Sequence, residues 1–326
     1  MKRRARHHGY VLVLALGLLV LASTLLVGVG RAAVKHALAA KEAQDELQRR
    51  WAVETTRAVL LPSVEQMLAR QETLRKQPAG TWSGKVKLGS VTLDCLAADE
   101  QAKVNVNLML ERGKVSDVQT QLRQALAGTG IAAKVRLRPA EISARAAGAP
   151  VTRPTTVAAT QATTAPAQGS VVAAISGFGQ MFDQLPPAQL IAARNSPGSL
   201  LTCWGGGAIN VQRASPAALR LALGSRLTPG EIMRLIEARD ALWAQQSSAA
   251  SKPASTAPAA TQNAPASPVE QLLAAARIDP QAVANAVMVG SRCHSLWIVA
   301  KDGRREWHYL SIADESGATN GRTFVW

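Results

Sequence analysis

From Tyr10 to Gly30 the chain carries no charged side chain, and Ser23 and Thr24 are the only hydroxyl-bearing aliphatic residues that interrupt it. Coiled as a helix rising 1.5 Å per residue, that run spans the roughly 30 Å of a bilayer's hydrocarbon core. Ahead of it stand Lys2, Arg3, Arg4 and Arg6 with no acid among them. A basic flank stays on the cytoplasmic side, so the expected topology is a single pass of the inner (cytoplasmic) membrane with everything beyond Gly30 outside, in the periplasm. The remainder must therefore fold as a tethered ectodomain. Apolar residues make up 47% of the 326, enough for a buried core, although alanine supplies much of that total.

Three readings of the N-terminus compete. Val20-Leu21-Ala22 has the small-residue spacing of a secretory cleavage site, but the apolar run continues through Leu25, Leu26 and Val27, longer than a signal needs. A plain anchor fits everything. The third rests on a short basic leader ending in Gly9, an aromatic residue at Tyr10 and then the apolar helix. This resembles a prepilin-type signal, cut after Gly9 by a prepilin peptidase to leave Tyr10 as a methylated terminus. Pilin-like subunits usually carry glutamate at the fifth mature position, and here that position is Leu14.

Residues 31–77 hold no glycine and are rich in Ala, Leu, Glu, Gln and Arg, which predicts an amphipathic continuation of the membrane helix, ended or kinked at Pro62 and resumed to about Lys76. Strands are expected over 82–87, 90–96 and 103–109, where apolar and polar residues alternate, with a loop at 97–102. Ser116 is expected to cap a helix closed by Gly128, and residues 135–137 to form a short strand. Residues 200–204 read as a strand. Ser215-Pro216 is an N-cap followed by proline, and Thr228-Pro229-Gly230-Glu231 a capping box, so residues 215–243 read as a hairpin of two helices. Helices are expected from Pro268 and Asp279-Pro280, and strands over 296–300, 305–312 and 323–326, with a hairpin turn at Asp302-Gly303. Residues 146–170 and 246–268, dominated by Ala, Thr, Ser, Pro and Gln, read as low-complexity loop insertions.

The sequence also echoes itself. Lys103-Val104-Asn105-Val106-Asn107 and Ala208-Ile209-Asn210-Val211-Gln212 share an apolar–Asn–Val–polar core, each followed within ten residues by a capped helix. An asparagine so placed can bond the backbone of a turn or helix start.

In order, Gly9, Leu14, Asp99-Glu100-Gln101-Ala102-Lys103-Val104-Asn105-Val106-Asn107, Asn210-Val211-Gln212-Arg213-Ala214-Ser215 and Ile236-Glu237-Ala238-Arg239 resemble the pattern of the minor pseudopilin K family of type II secretion systems. Gln212 departs from the commoner asparagine, and the two Ala/Thr/Pro insertions depart from a compact member. The resemblance implies an α+β, pilin-like fold: a long transmembrane and amphipathic helix (10–30 and 31–77) packed on an antiparallel sheet (78–110 and 291–326), with a large helical domain (111–290) inserted in that sheet. It implies Asp99, Glu100, Lys103, Asn105, Asn107, Asn210, Ser215 and Arg239 as structural motif residues. It also implies a non-catalytic role at the tip of a periplasmic pseudopilus, with other minor pseudopilins and inner-membrane lipid as partners. Members can bind calcium, and Asp314, Glu315 and Asn320 make an oxygen-rich candidate loop, although their spacing is not an EF-hand and a solvated turn competes.

Two further classes compete with this reading: a membrane-anchored DNA receptor with a helix–hairpin–helix module, and a generic single-span envelope protein. The formal charge of +15 invites the first. Yet the leader holds four of those charges, and residues 171–245, home of the hairpin, have six bases against four acids. No basic stripe forms, so no nucleic-acid partner is expected. No phosphate loop, nucleophile elbow or zinc-ligand spacing is present either; Cys293-His294, adjacent on a strand, would face opposite ways. Cys203 and Cys293 are compatible with pairing in an oxidising compartment, although connectivity is not readable from spacing.

Overall fold

The computed structural model describes residues 7–142, 172–191, 196–249, 267–302, 305–314 and 322–325. Helix α1, His7–Leu60, is 54 residues long, about 80 Å at the ordinary helical rise. It lacks proline until Pro62, whose missing N–H interrupts the ladder in a 3-10 turn, Leu61–Ser63. Ser63 Oγ donates to Val59 O (2.8 Å) and Leu60 O (3.1 Å), tying the turn back to the end of α1. Helix α2, Val64–Arg75, follows and stops at Lys76, which adopts the left-handed conformation (φ 51°).

Along α1 the environment changes. The most apolar 18-residue window is wholly exposed, and the helix is long and apolar enough to cross a membrane. Past that window one face turns inward: Ala52, Val53 and Thr56 are buried, as are Val64 and Leu68 of α2. They pack on a five-stranded antiparallel sheet of β1 (Thr81–Leu88), β2 (Val91–Asp99), β9 (Cys293–Asp302), β10 (Arg305–Asp314) and β11 (Arg322–Val325), in the order β1-β2-β9-β10-β11.

Residues 100–292 leave the sheet after β2 and return at its neighbour β9. They form β3 (Val104–Asn105), α3 (Val106–Arg112), α4 (Val115–Ala125), β4 (Ala140–Ile142), β5 (Val172–Ala174), α5 (Pro187–Ile191), α6 (Pro197–Leu200), β6 (Leu201–Thr202), β7 (Ile209–Asn210), α7 (Pro216–Leu223), α8 (Pro229–Ala249), α9 (Pro268–Ala276) and β8 (Val287–Met288). Two short parallel pairs, β3 with β6 and β7 with β8, tie this path together. The arrangement is α+β: a long helix on one face of the sheet and a mainly helical insert on the other.

Strand β9 is the seam between the two. Its alternate residues Leu296, Ile298 and Ala300 face the helix, while Trp297 joins the core of the insert with Leu310 and Ile312 of β10. Burial on both sides is why this strand reads as a nearly continuous apolar run.

Several boundaries differ from the sequence expectation. Residues 100–110 are not part of the sheet, and the strand expected over 103–109 is only Val104–Asn105. Asn105 Oδ1 accepts from the amides of Asn107 (2.9 Å) and Leu108 (3.4 Å), so an N-cap converts an alternating segment into a helix. Helix α4 starts after Lys114, which makes no side-chain cap, rather than at Ser116. The strand expected over 200–204 shrinks to β6, because α6 occupies Pro197–Leu200. In place of a strand over 135–137, Val135 forms a single bridge to Phe182. The segment read as a linker from 246 is shorter: α8 runs on to Ala249, and Ser267 with Glu270 makes a full capping box for α9. Residues 146–170, and the Asp302-Gly303 turn at its glycine, lie outside the described residues.

Candidate functional site

The motif residues singled out from sequence converge on the junction of helix, sheet and insert. Asp99, fully buried at the end of β2, caps the 3-10 turn Glu100–Ala102 through Oδ1, which accepts from the amides of Gln101 (2.9 Å) and Ala102 (3.1 Å). Its other oxygen accepts from Asn210 Nδ2 (2.8 Å) and lies 3.6 Å from Arg213 Nη1. Burial raises the Asp99 carboxyl above its ordinary range, opposed by hydrogen bonds from Ser291 and Asn210 and by the Arg213 charge.

Arg213 is the centre of the junction. Its Nη1 and Nη2 donate to the two oxygens of Glu65 (2.6 and 2.8 Å), and its Nε and Nη2 to those of Glu72 (2.8 and 3.1 Å). Burial alone would lower the guanidinium; the two carboxylates more than reverse that and hold it above the arginine range. Glu65 also accepts from His294 Nε2 of β9 at 3.0 Å. That hydrogen bond, helped by Arg213 and opposed by partial burial, pulls the Glu65 carboxyl down to about 2. One arginine of the insert is thereby held by two bidentate forks on α2.

Beside it lies a second buried pair. Lys103 Nζ and Ser295 Oγ both donate to Glu100 Oε1, and Glu100 Oε2 has no hydrogen-bond partner among the described residues. Gln101 Oε1 accepts from the amide of Arg292 (2.6 Å), stitching the insert's start to its end.

The internal echo is a structural equivalence. Asn105 and Asn210 each end a two-residue strand, and each accepts through Oδ1 from the amide two residues on (2.9 and 3.2 Å). Each then sends its amide group far along the chain: Asn105 to the carbonyls of Trp204 and Gly205 (3.1 Å each), Asn210 to Asp99. Asn107 likewise holds Ile175 and Cys203 O. Ser215 Oγ caps α7 through the Ala218 amide (3.1 Å), and Arg239 Nη1 donates to Ala214 O (2.7 Å), fixing the start of α7 to α8.

The other candidates do not join this cluster. Gly9 and Tyr10 lie in the first turns of α1, and Leu14 is half exposed on it. Asp314 ends β10, while Glu315 and Asn320 lie outside the described residues; among the described residues no group of three or more His, Cys, Asp and Glu is placed to hold a metal. Cys95, Cys203 and Cys293 are free and buried; desolvation lifts the Cys95 thiol to about 11 and raises the other two. In the α7–α8 hairpin, the amides of Gly224, Arg226 and Leu227 are bonded within the turn, and Arg226 Nη1 donates to Ala284 O (3.1 Å), so the loop's donors serve the fold.

Sequence reasoning did not single out Arg213, Glu65, Glu72 and His294 as a set. A signal existed: Glu65, Leu68 and Glu72 are three and four residues apart, so both carboxylates share the face that carries the buried leucine.

No protein-family model matches the chain, and no curated protein matches it. Among solved structures, a chain in the crystal structure of the GspK-GspI-GspJ complex from the enterotoxigenic Escherichia coli Type 2 Secretion System is similar, at 14% identity and a TM-score of 0.43, over 88% of this chain and 98% of that one. At that score the likeness is loose and assigns no role to any residue.

Proposed function

We propose that the chain is a minor pseudopilin of a type II protein secretion system, acting by assembly at the tip of a periplasmic pseudopilus rather than by catalysis. The observation that carries this reading is the division of labour along one helix. Its first half is apolar and unpacked, its last turns dock on an antiparallel sheet, and the insert between the adjacent strands β2 and β9 is clamped through Arg213 onto α2, which follows it past Pro62. A subunit drawn from the membrane as a rod needs that rigid coupling. The prepilin-type leader, cut after Gly9, and Leu14 in place of a glutamate fit a subunit with no neighbour ahead of it: a carboxylate there would sit in lipid unpartnered.

The test is co-purification of the full-length protein, extracted in mild detergent, with the other minor pseudopilins of the same cell. A stoichiometric complex is the expected result; recovery of the protein alone from cells that express all of them counts against the role.

A further inference from the structure

A cavity of about 850 Å³ lies beside the Arg213 junction, between the C-terminal end of α2, the start of β1, and helices α6 and α8. That is the volume of a ligand cleft. Trp243, Trp297 and Leu96 supply apolar wall. Arg239 lines it too: the residue is 7% exposed, and two of its five N–H donors are engaged, Nε on Asp240 and Nη1 on Ala214 O. Ser196, 4% exposed, stands in the same wall, and its hydroxyl has no hydrogen-bond partner among the described residues. Arg75 and Lys76, both exposed, stand at the mouth.

The remaining guanidinium N–H groups of Arg239 and an unsatisfied hydroxyl, beside an aromatic wall in a cavity that Asp99 and Asp240 also line, suit a planar anion carried on an apolar body. Guanidinium N–H groups match a carboxylate, and a ligand oxygen would give the buried Ser196 hydroxyl the partner it lacks. The cavity is larger than one side chain fills, and its mouth is basic. We infer that this cleft binds the free carboxyl terminus of a polypeptide with a large apolar last residue, the carboxylate meeting Arg239 and Ser196 and the side chain lying against Trp243 and Trp297. The inference stands on the cavity and does not depend on the assembly role.

The experiment uses full-length protein in detergent micelles and the fluorescein-labelled peptide Gly-Ser-Gly-Ser-Ala-Leu-Phe, as free acid and as amide, read by fluorescence anisotropy. Saturable binding of the acid is expected, with the amide at least tenfold weaker. Ser196→Leu, which fills the cavity, and Arg239→Gln should each weaken the acid at least tenfold. Because Arg239 also braces α7, the pair Arg75→Gln with Lys76→Gln, confined to exposed positions, serves as the variant that leaves folding intact; it should weaken binding severalfold, more at low salt than at high. Equal binding of acid and amide, no binding at millimolar protein, or indifference to Ser196→Leu would overturn the proposal. So would N-acetylphenylalanine competing with the peptide's own Kd, since that would make the ligand a small carboxylate.

Discussion

Arg213 ties the insert to α2 through Glu65 and Glu72 and lies beside Asp99 of β2. Its side chain is 6% exposed, and it faces Glu72, equally enclosed, and Asp99, fully so. Removing one member of a buried charge set strands the others, which costs about 3–5 kcal/mol, whereas surface pairs are worth under about 1. Arg213→Ala should therefore lower the unfolding free energy by about that larger amount in urea titration. Arg213→Lys should recover only part, because an ammonium cannot make two forks at once. Glu65 offers a second handle. Its folded carboxyl is depressed to about 2, so its contribution is complete above its unfolded value near 4.5 and is lost as pH falls from there toward 2. Its side chain is 47% exposed, so solvent screening trims the effect to about 1 kcal/mol. Stability measured from pH 6 to 2.5 should fall less steeply for Glu65→Gln than for the natural chain. Asp99 works oppositely: its carboxyl is raised, so acid relieves its burial, and the Glu65→Gln comparison isolates the one from the other.

At the scale of elements, some caps were legible in the sequence and others were not. Ser215-Pro216 and Thr228 with Glu231 begin α7 and α8 as side-chain acceptors of amide protons, a job set by three or four neighbouring residues, whereas Ser116 does not begin α4 and the Ser267–Glu270 capping box of α9 lay in a segment read as linker. The misread segment is instructive for the same reason. Residues 103–109 alternate like a strand, yet Asn105 is at once the end of β3, the cap of α3 and the donor to two carbonyls a hundred residues away. Only the first two of those roles have a local signature. The shared face of Glu65 and Glu72 was legible in their spacing, but its pairing with Arg213 was not, because the partners lie 141 and 148 residues off in sequence, a separation no periodicity encodes. Asn105→Ala should cost about 3 kcal/mol, the sum of a lost cap and two lost buried bonds. Asn105→Asp keeps the cap acceptor but turns a carboxylate toward the Trp204 and Gly205 carbonyls. It should be the worse of the two by thermal melting, an order that a purely local capping role would reverse.

For the whole molecule the decisive matter is how far the exposed apolar surface of α1 extends beyond its uncharged run. The uncharged run ends at Gly30, yet Val34, Leu38, Leu47, Trp51 and Val59 remain exposed. About 20 residues, some 30 Å of helix, separate Gly30 from Trp51, so a bilayer covering the run leaves Trp51 outside. A helix of that kind is stable in water chiefly when something packs on it, and an assembling neighbour supplies such packing. If the uncharged run spans a bilayer as proposed, the reverse constraint acts on Leu14. If the chain sits at the head of an assembly, no subunit ahead offers an amino terminus to neutralise a carboxylate, and a charge inside a membrane helix costs about 2.5–3.5 kcal/mol at its centre, less toward its end. Leu14→Glu should then reduce co-purification with partner subunits several-fold, with Leu14→Ala unaffected and the ectodomain's melting temperature unchanged in both. A Leu14→Glu protein that assembles as well as the natural one would mean that a neighbour does stand ahead of it, and the tip position would have to be given to another subunit.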